Sequence, residues 1–244
     1  MKRSMLRPTL ARDLKEKRLP GAVYKALLAT LLVASSVLTG CASGPGVPDW
    51  SINAVGHVER FTEAYLKGDG RVEAREFELA RAETARTGRP ELVARIELSR
   101  CAARVASLVF DACAGFEPLR RDAGDAERAY AAYLAGQAGA PEAALLPAQH
   151  RTIAAGGTGL GGIEDPFARL VAAGVLLRQT RATPEVVAQA VDTASRQGWR
   201  RPLLAWLGVQ ARLAEERGDA GEAARLRRRM DLVQPPGAPA SAPQ

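Results

Sequence analysis

Two histidines, His57 and His150, are all this 244-residue chain has for the commonest catalytic and metal-binding side chain. Their spacing to one another and to the cysteines fits no metal motif, and no nucleophile elbow accompanies them, so the sequence points to no metal and no cofactor. Both histidines read as ordinary surface or half-buried side chains. Long apolar runs are also missing. The longest, residues 26–37 (Ala-Leu-Leu-Ala-Thr-Leu-Leu-Val-Ala-Ser-Ser-Val), is well short of the about 20 residues a membrane-crossing helix requires. Strict apolar/polar alternation is absent too, which leaves no convincing strand.

Cysteine is scarce, with three residues: Cys41, Cys101 and Cys113. Lysine is nearly absent beyond residue 40, where Lys67 stands alone among 26 basic residues against 25 acidic ones. The formal net charge of +7 therefore belongs largely to residues 1–40. Residues 41–244 are close to neutral, and bulk charge gives no reason to expect a nucleic-acid partner.

The chain does have an export signal in layout. Lys15, Lys17, Arg18 and Lys25 precede the apolar run, which ends at small, turn-prone residues. There, Leu38-Thr39-Gly40-Cys41 resembles the lipobox of bacterial lipoproteins. The resemblance implies that residues 1–40 are a cleaved signal peptide and that Cys41 takes a diacylglyceryl thioether before its new amino terminus is acylated. Two or three acyl chains give stable anchoring where one does not. Ala42 after the cysteine, in place of Asp, implies the outer membrane by the same resemblance. Residues 41–52, with Gly44, Pro45, Gly46 and Pro48, read as a flexible tether, and residues 234–244, rich in Pro and Ala, as a disordered tail.

Between them the pattern is helical. Val55, Val58, Thr62, Tyr65 and Leu66 share one face of a first helix that Gly68-Asp69-Gly70 ends. A second helix, residues 71–87, is expected to bury Val72, Phe77, Ala80 and Thr84, and a third is expected from Pro90 to about Cys113. Asp165-Pro166 and Thr183-Pro184 place a capping side chain before Pro at the first helical position. Trp206 and Leu207 fall on the buried face of a helix over residues 202–217, closed by Gly218, and Asp219 with Glu222 forms a capping box for the last helix. The fold class is all-α, as antiparallel helical hairpins or an irregular bundle. An N-terminal half (53–155) and a C-terminal half (165–233) are separated by a Gly-rich linker (156–164). Gly156-Gly157-Thr158-Gly159-Leu160-Gly161-Gly162 has no strand before it and no Lys after it, and so lacks the context of a phosphate loop.

Cys101 and Cys113 leave two readings. An exported protein permits a disulfide, but one continuous helix would hold the pair about 18 Å apart, which favours two buried thiols.

Residues 204–235 resemble a tetratricopeptide repeat, with Gly218-Asp219 at the turn, Leu207, Ala211, Ala214 and Ala223 at packing positions and Pro235 at the close. Partial matches involve Gly124-Asp125, Ala129, Tyr133 and Pro141, and Gly68-Asp69, Phe77 and Ala80. The three Gly-Asp turns stand 56 and 94 residues apart, unlike a regular array. Envelope assembly factors and pilotins have this general layout, which implies a non-catalytic scaffold whose partners are the membrane, through its lipid, and another cell-envelope protein. Arg225, Arg227, Arg228 and Arg229 form the densest basic run after residue 40, suited to helix-end solvation or to anion contact. The competing class is an envelope enzyme acting on cell-wall glycan, with Glu73 and Glu76 as acid and base.

Overall fold

The computed structural model describes residues 46–234. The lipobox with Cys41, the export signal and Pro235 with the residues after it lie outside that range. Ten α-helices and one 3₁₀ turn make up the described residues, with no strand among them, so the protein is an all-α helical bundle. The helices are α1 (Asp49–Lys67), α2 (Gly70–Ala85), α3 (Pro90–Ala106), α4 (Asp125–Leu134), α5 (Ala140–Ala143), α6 (Ala148–Ala154), α7 (Pro166–Arg178), α8 (Pro184–Gln197), α9 (Arg200–Glu216) and α10 (Ala220–Val233). None is long and apolar enough to cross a membrane.

Local chemistry sets the boundaries. The Asp69, Asp165, Thr183 and Asp219 side chains accept from the backbone N–H three residues ahead, each satisfying a donor that a helix start leaves orphaned. Gly68, Gly198 and Gly218 sit at positive φ where α1, α8 and α9 stop, a conformation that a Cβ would penalise. Glu222 does not reach back to close the expected capping box. It pairs with Arg225 instead.

The strongest departure from expectation is α3, which ends at Ala106 and not near Cys113. Leu108, at φ 61°, is the stop residue, and the Val109 N–H donates to Arg104 O at 2.9 Å to close the helix end. The chain then doubles back and brings Cys113 to Cys101 before it enters the 3₁₀ turn at Glu117–Leu119. Their Cα atoms are 5.6 Å apart and the sulfurs are bonded. The preference for two free thiols is therefore corrected: the continuous helix on which it relied does not exist.

α3 is the axis of the bundle, packing against α1, α2, α4 and α7. Gly174 on α7 makes the α3 crossing close, since a Cβ there would stand 2.3 Å from the Val105 carbonyl oxygen. α9 returns to α1, where Trp199 donates through Nε1 to Glu63 at 2.8 Å and Arg201 lies over the Tyr65 ring at 4.4 Å. The Trp206 indole donates to the Ala106 carbonyl at 3.1 Å, satisfying an acceptor at the end of α3.

One buried cluster runs from Tyr65 and Leu66 through α3, α4 and α7 to Leu226, so the core is not divided at residues 156–164. That segment is itself fastened: Leu160 and Ile163 are buried, and Arg181 donates to the carbonyls of Gly156 and Gly157. A smaller cluster of Phe61, Phe77, Ala80 and Ile96 joins α1 to α2 and α3, with the two phenyl rings edge to face at 5.7 Å.

Candidate functional site

Four side chains of α4 and α6 organise an apolar recess in the bundle. α4 carries Glu127, Tyr130 and Tyr133 at three-residue intervals, which sets them along one face. Tyr133 and His150 of α6 are buried and joined by a 3.1 Å hydrogen bond between the phenol oxygen and Nδ1. Tyr130 stacks on the Tyr133 ring at 6.1 Å and leans on the His150 ring at 5.8 Å. Burial pushes the His150 imidazole down to about 4, against a smaller opposing pull from Asp165. Burial also pushes both phenols well above the usual tyrosine range. The stack is thus neutral at ordinary pH.

In front of it lies a groove of about 480 Å³ between α3, α4 and the turn after α5, floored by Leu98, Leu146 and Tyr130. Leu145 stands exposed on its rim, 46 % accessible. The buried Glu127 carboxylate accepts from Arg95 at 2.7 Å across the α3–α4 contact, and the guanidinium of Arg95 remains in solvent. The groove offers an aromatic and aliphatic floor with the Arg95–Glu127 pair at its edge.

Ionic contacts bind the neighbouring helices. Glu73 of α2 is buried and accepts from Arg100 of α3 at 2.7 Å, and Arg81 pairs with Glu97 at 2.9 Å. Glu76 accepts from Arg60 at 2.7 Å and meets His57 Nδ1 at 2.7 Å, contacts that hold its carboxyl below the usual range, with His57 the larger cause. Glu73 and Glu76 therefore engage different helices, α3 and α1, and do not face one shared substrate space. His57 is half-buried, as expected, whereas His150 is fully buried.

On α10, Arg225 forms a two-bond pair with Glu222, whose carboxyl it lowers, and Arg227 pairs with Glu215 of α9. Among the described residues no ion pair involves Arg228 or Arg229. Half of the basic run is thus neutralised by its own helix hairpin. Among the described residues no group of three or more His, Cys, Asp or Glu side chains could hold a metal ion.

Sequence reasoning missed the groove. Its signal was the repeat of tyrosines at positions 130 and 133 with an adjacent apolar pair, Leu145-Leu146, between two prolines. No protein-family model, curated protein or solved structure matches this chain.

Proposed function

We propose that this protein is a lipid-anchored lipoprotein of the bacterial envelope that works by holding another envelope protein, with the Tyr130–Leu145 groove as the contact. The observation that carries the reading is the groove itself: Leu98, Leu146 and Tyr130 form its floor, Tyr130 is stacked on the buried Tyr133 and His150 behind it, and Leu145 is left exposed beside it. A preorganised apolar cleft with few polar groups favours side chains of a partner chain entering from solvent.

The compartment has separate support. The Cys101–Cys113 bridge fits an oxidising environment, as the export signal and the lipobox at Cys41 require. Ala42 favours the outer membrane, with the domain facing the periplasm. Helix pairs α1–α2 and α9–α10, each turning at Gly-Asp, give this reading its repeat-like character, and tetratricopeptide-like stacking remains part of the proposal.

Photocrosslinking in a Gram-negative host tests it. A benzophenone side chain in place of Leu145 is expected to capture one defined envelope protein, whereas the same group in place of the exposed Arg212 is not. Tyr130→Ala should abolish the Leu145 crosslink while the protein stays in the membrane fraction. Equal labelling from both positions, or a crosslink indifferent to Tyr130, would reject the groove as the contact.

A further inference from the structure

Large aliphatic side chains left in solvent are few, and three of them cluster where the chain enters the domain. Val47, Ile52 and Val55 are 67 %, 58 % and 56 % exposed, within the first two turns of α1 and the residue pair before it. Ile52 and Val55 lie on one outward stripe of α1. Continued at helical spacing, that stripe reaches the exposed Glu59 and then Glu63, which is engaged by Lys67 and Trp199, so it changes from apolar to polar with distance from the start of the helix. On the other side of the first turn, Trp50 and Asp49 share a surface groove with Arg86 and Arg89 from the α2–α3 turn. Both arginines are mostly exposed beyond their pairing with Glu83 and Glu91.

Aliphatic, tryptophan and arginine side chains gathered at one end of a domain are the set that populates the boundary between bilayer headgroups and acyl chains. The occupant follows from chain length. Seven residues separate Cys41 from Asp49, and even fully extended the eight steps between them span no more than about 29 Å. Acyl chains on Cys41 would keep the start of α1 within that distance of the bilayer at all times.

We infer that the N-terminal end of α1, through Val47, Ile52 and Val55 with Trp50, Arg86 and Arg89, docks on the surface of the bilayer that carries the anchor. This rests on the lipoprotein reading of Cys41. It adds that the domain is held against the membrane in one orientation, with the tether acting only as a short link.

Spin labelling of the mature, lipidated protein in vesicles of phosphatidylethanolamine and phosphatidylglycerol tests the inference. Labels are placed by Val55→Cys or, as the control on exposed α9, Arg212→Cys; Cys101 and Cys113 are occupied by their bridge. Vesicle flotation reports the anchor, and circular dichroism reports the fold. The ratio of oxygen to nickel-chelate accessibility is expected to be several-fold higher at position 55 than at 212, and adding Ile52→Asp should bring it down to the control value while flotation is unchanged. Equal accessibility at the two positions in a protein that floats would overturn the docking and leave the anchor standing. Spin–spin broadening at position 55 that disappears on dilution with unlabelled protein would overturn it in favour of a second copy. A chain that does not float would remove the anchor and the docking together.

Discussion

Gly174 and Gly208 are both interior helix glycines, and the structure predicts opposite responses to the same substitution. A Cβ at Gly174 would stand 2.3 Å from the Val105 carbonyl oxygen and 3.0 Å from its carbon, on the backbone of α3, where nothing can swing aside. At Gly208 the nearest atom is the flexible Met230 Cε at 3.9 Å, an ordinary contact. Replacing an interior helix Gly by Ala is worth roughly 0.5–1 kcal/mol in conformational terms. Gly208→Ala should gain that amount. At Gly174 the same gain is set against overpacking at the upper end of its usual range, about 3 kcal/mol, because the clash is with backbone, so a net loss of about 2 kcal/mol is expected. For a domain of this size that lowers the thermal midpoint by about 4–8 °C. Urea and thermal unfolding followed by circular dichroism, on the mature chain carrying Cys41→Ala to avoid detergent, measure both. A Gly174→Ala protein as stable as the parent would refute the close α3–α7 crossing on which the bundle is built.

Other consequences are equally direct. His150 is neutral in the fold until about pH 4, whereas the unfolded chain takes up a proton near 6.5. The stability this group contributes is therefore complete above pH 6.5 and is lost as pH falls, by about 3 kcal/mol at pH 4. His150→Gln should flatten the stability profile in that window, and an unchanged slope would show that the imidazole is not buried as described. Reducing the Cys101–Cys113 bridge, or replacing both residues by Ser, should cost about 3 kcal/mol in urea unfolding, as expected for a loop of this length. Thr180 is exposed at φ 56°, a conformation that penalises β-branched residues, so Thr180→Gly should raise stability by about 1 kcal/mol despite the added freedom of the unfolded chain.

Helix starts and stops were legible wherever they depend on a side chain with one strong local preference. Asp165, Thr183 and Asp219 cap the helices they precede, and Gly68, Gly198 and Gly218 end theirs. The end of α3 was not legible, because Leu108 takes the left-handed conformation usually given to glycine. Only the surrounding packing, with Leu108 set against the core, can hold it there. The disulfide was obscured for the same reason, since its geometry depends on that turn. Periodicity placed Tyr65, Leu66, Phe77, Ala80 and Thr84 in the interior correctly but misjudged single positions at the starts of α1 and α2. Val55 and Val72 are exposed while Phe61 is completely buried, because the apolar stripe follows Phe61 and Phe77 into a separate small cluster. The groove was hidden for a further reason. Its floor combines residues from α3, α4 and the α5–α6 region, and no local pattern announces that these distant segments meet.

Both the proposed scaffold role and the membrane docking depend on the lipid anchor. The intact mass of the protein from membranes of a Gram-negative host tests that anchor directly, beside a Cys41→Ala variant. The expected result is a chain that begins at Cys41 and carries acyl groups, with both cleavage and acylation lost in the variant. An uncleaved, unacylated chain, differing from the variant only by the substituted side chain, would contradict the anchor and remove the envelope from the proposed function.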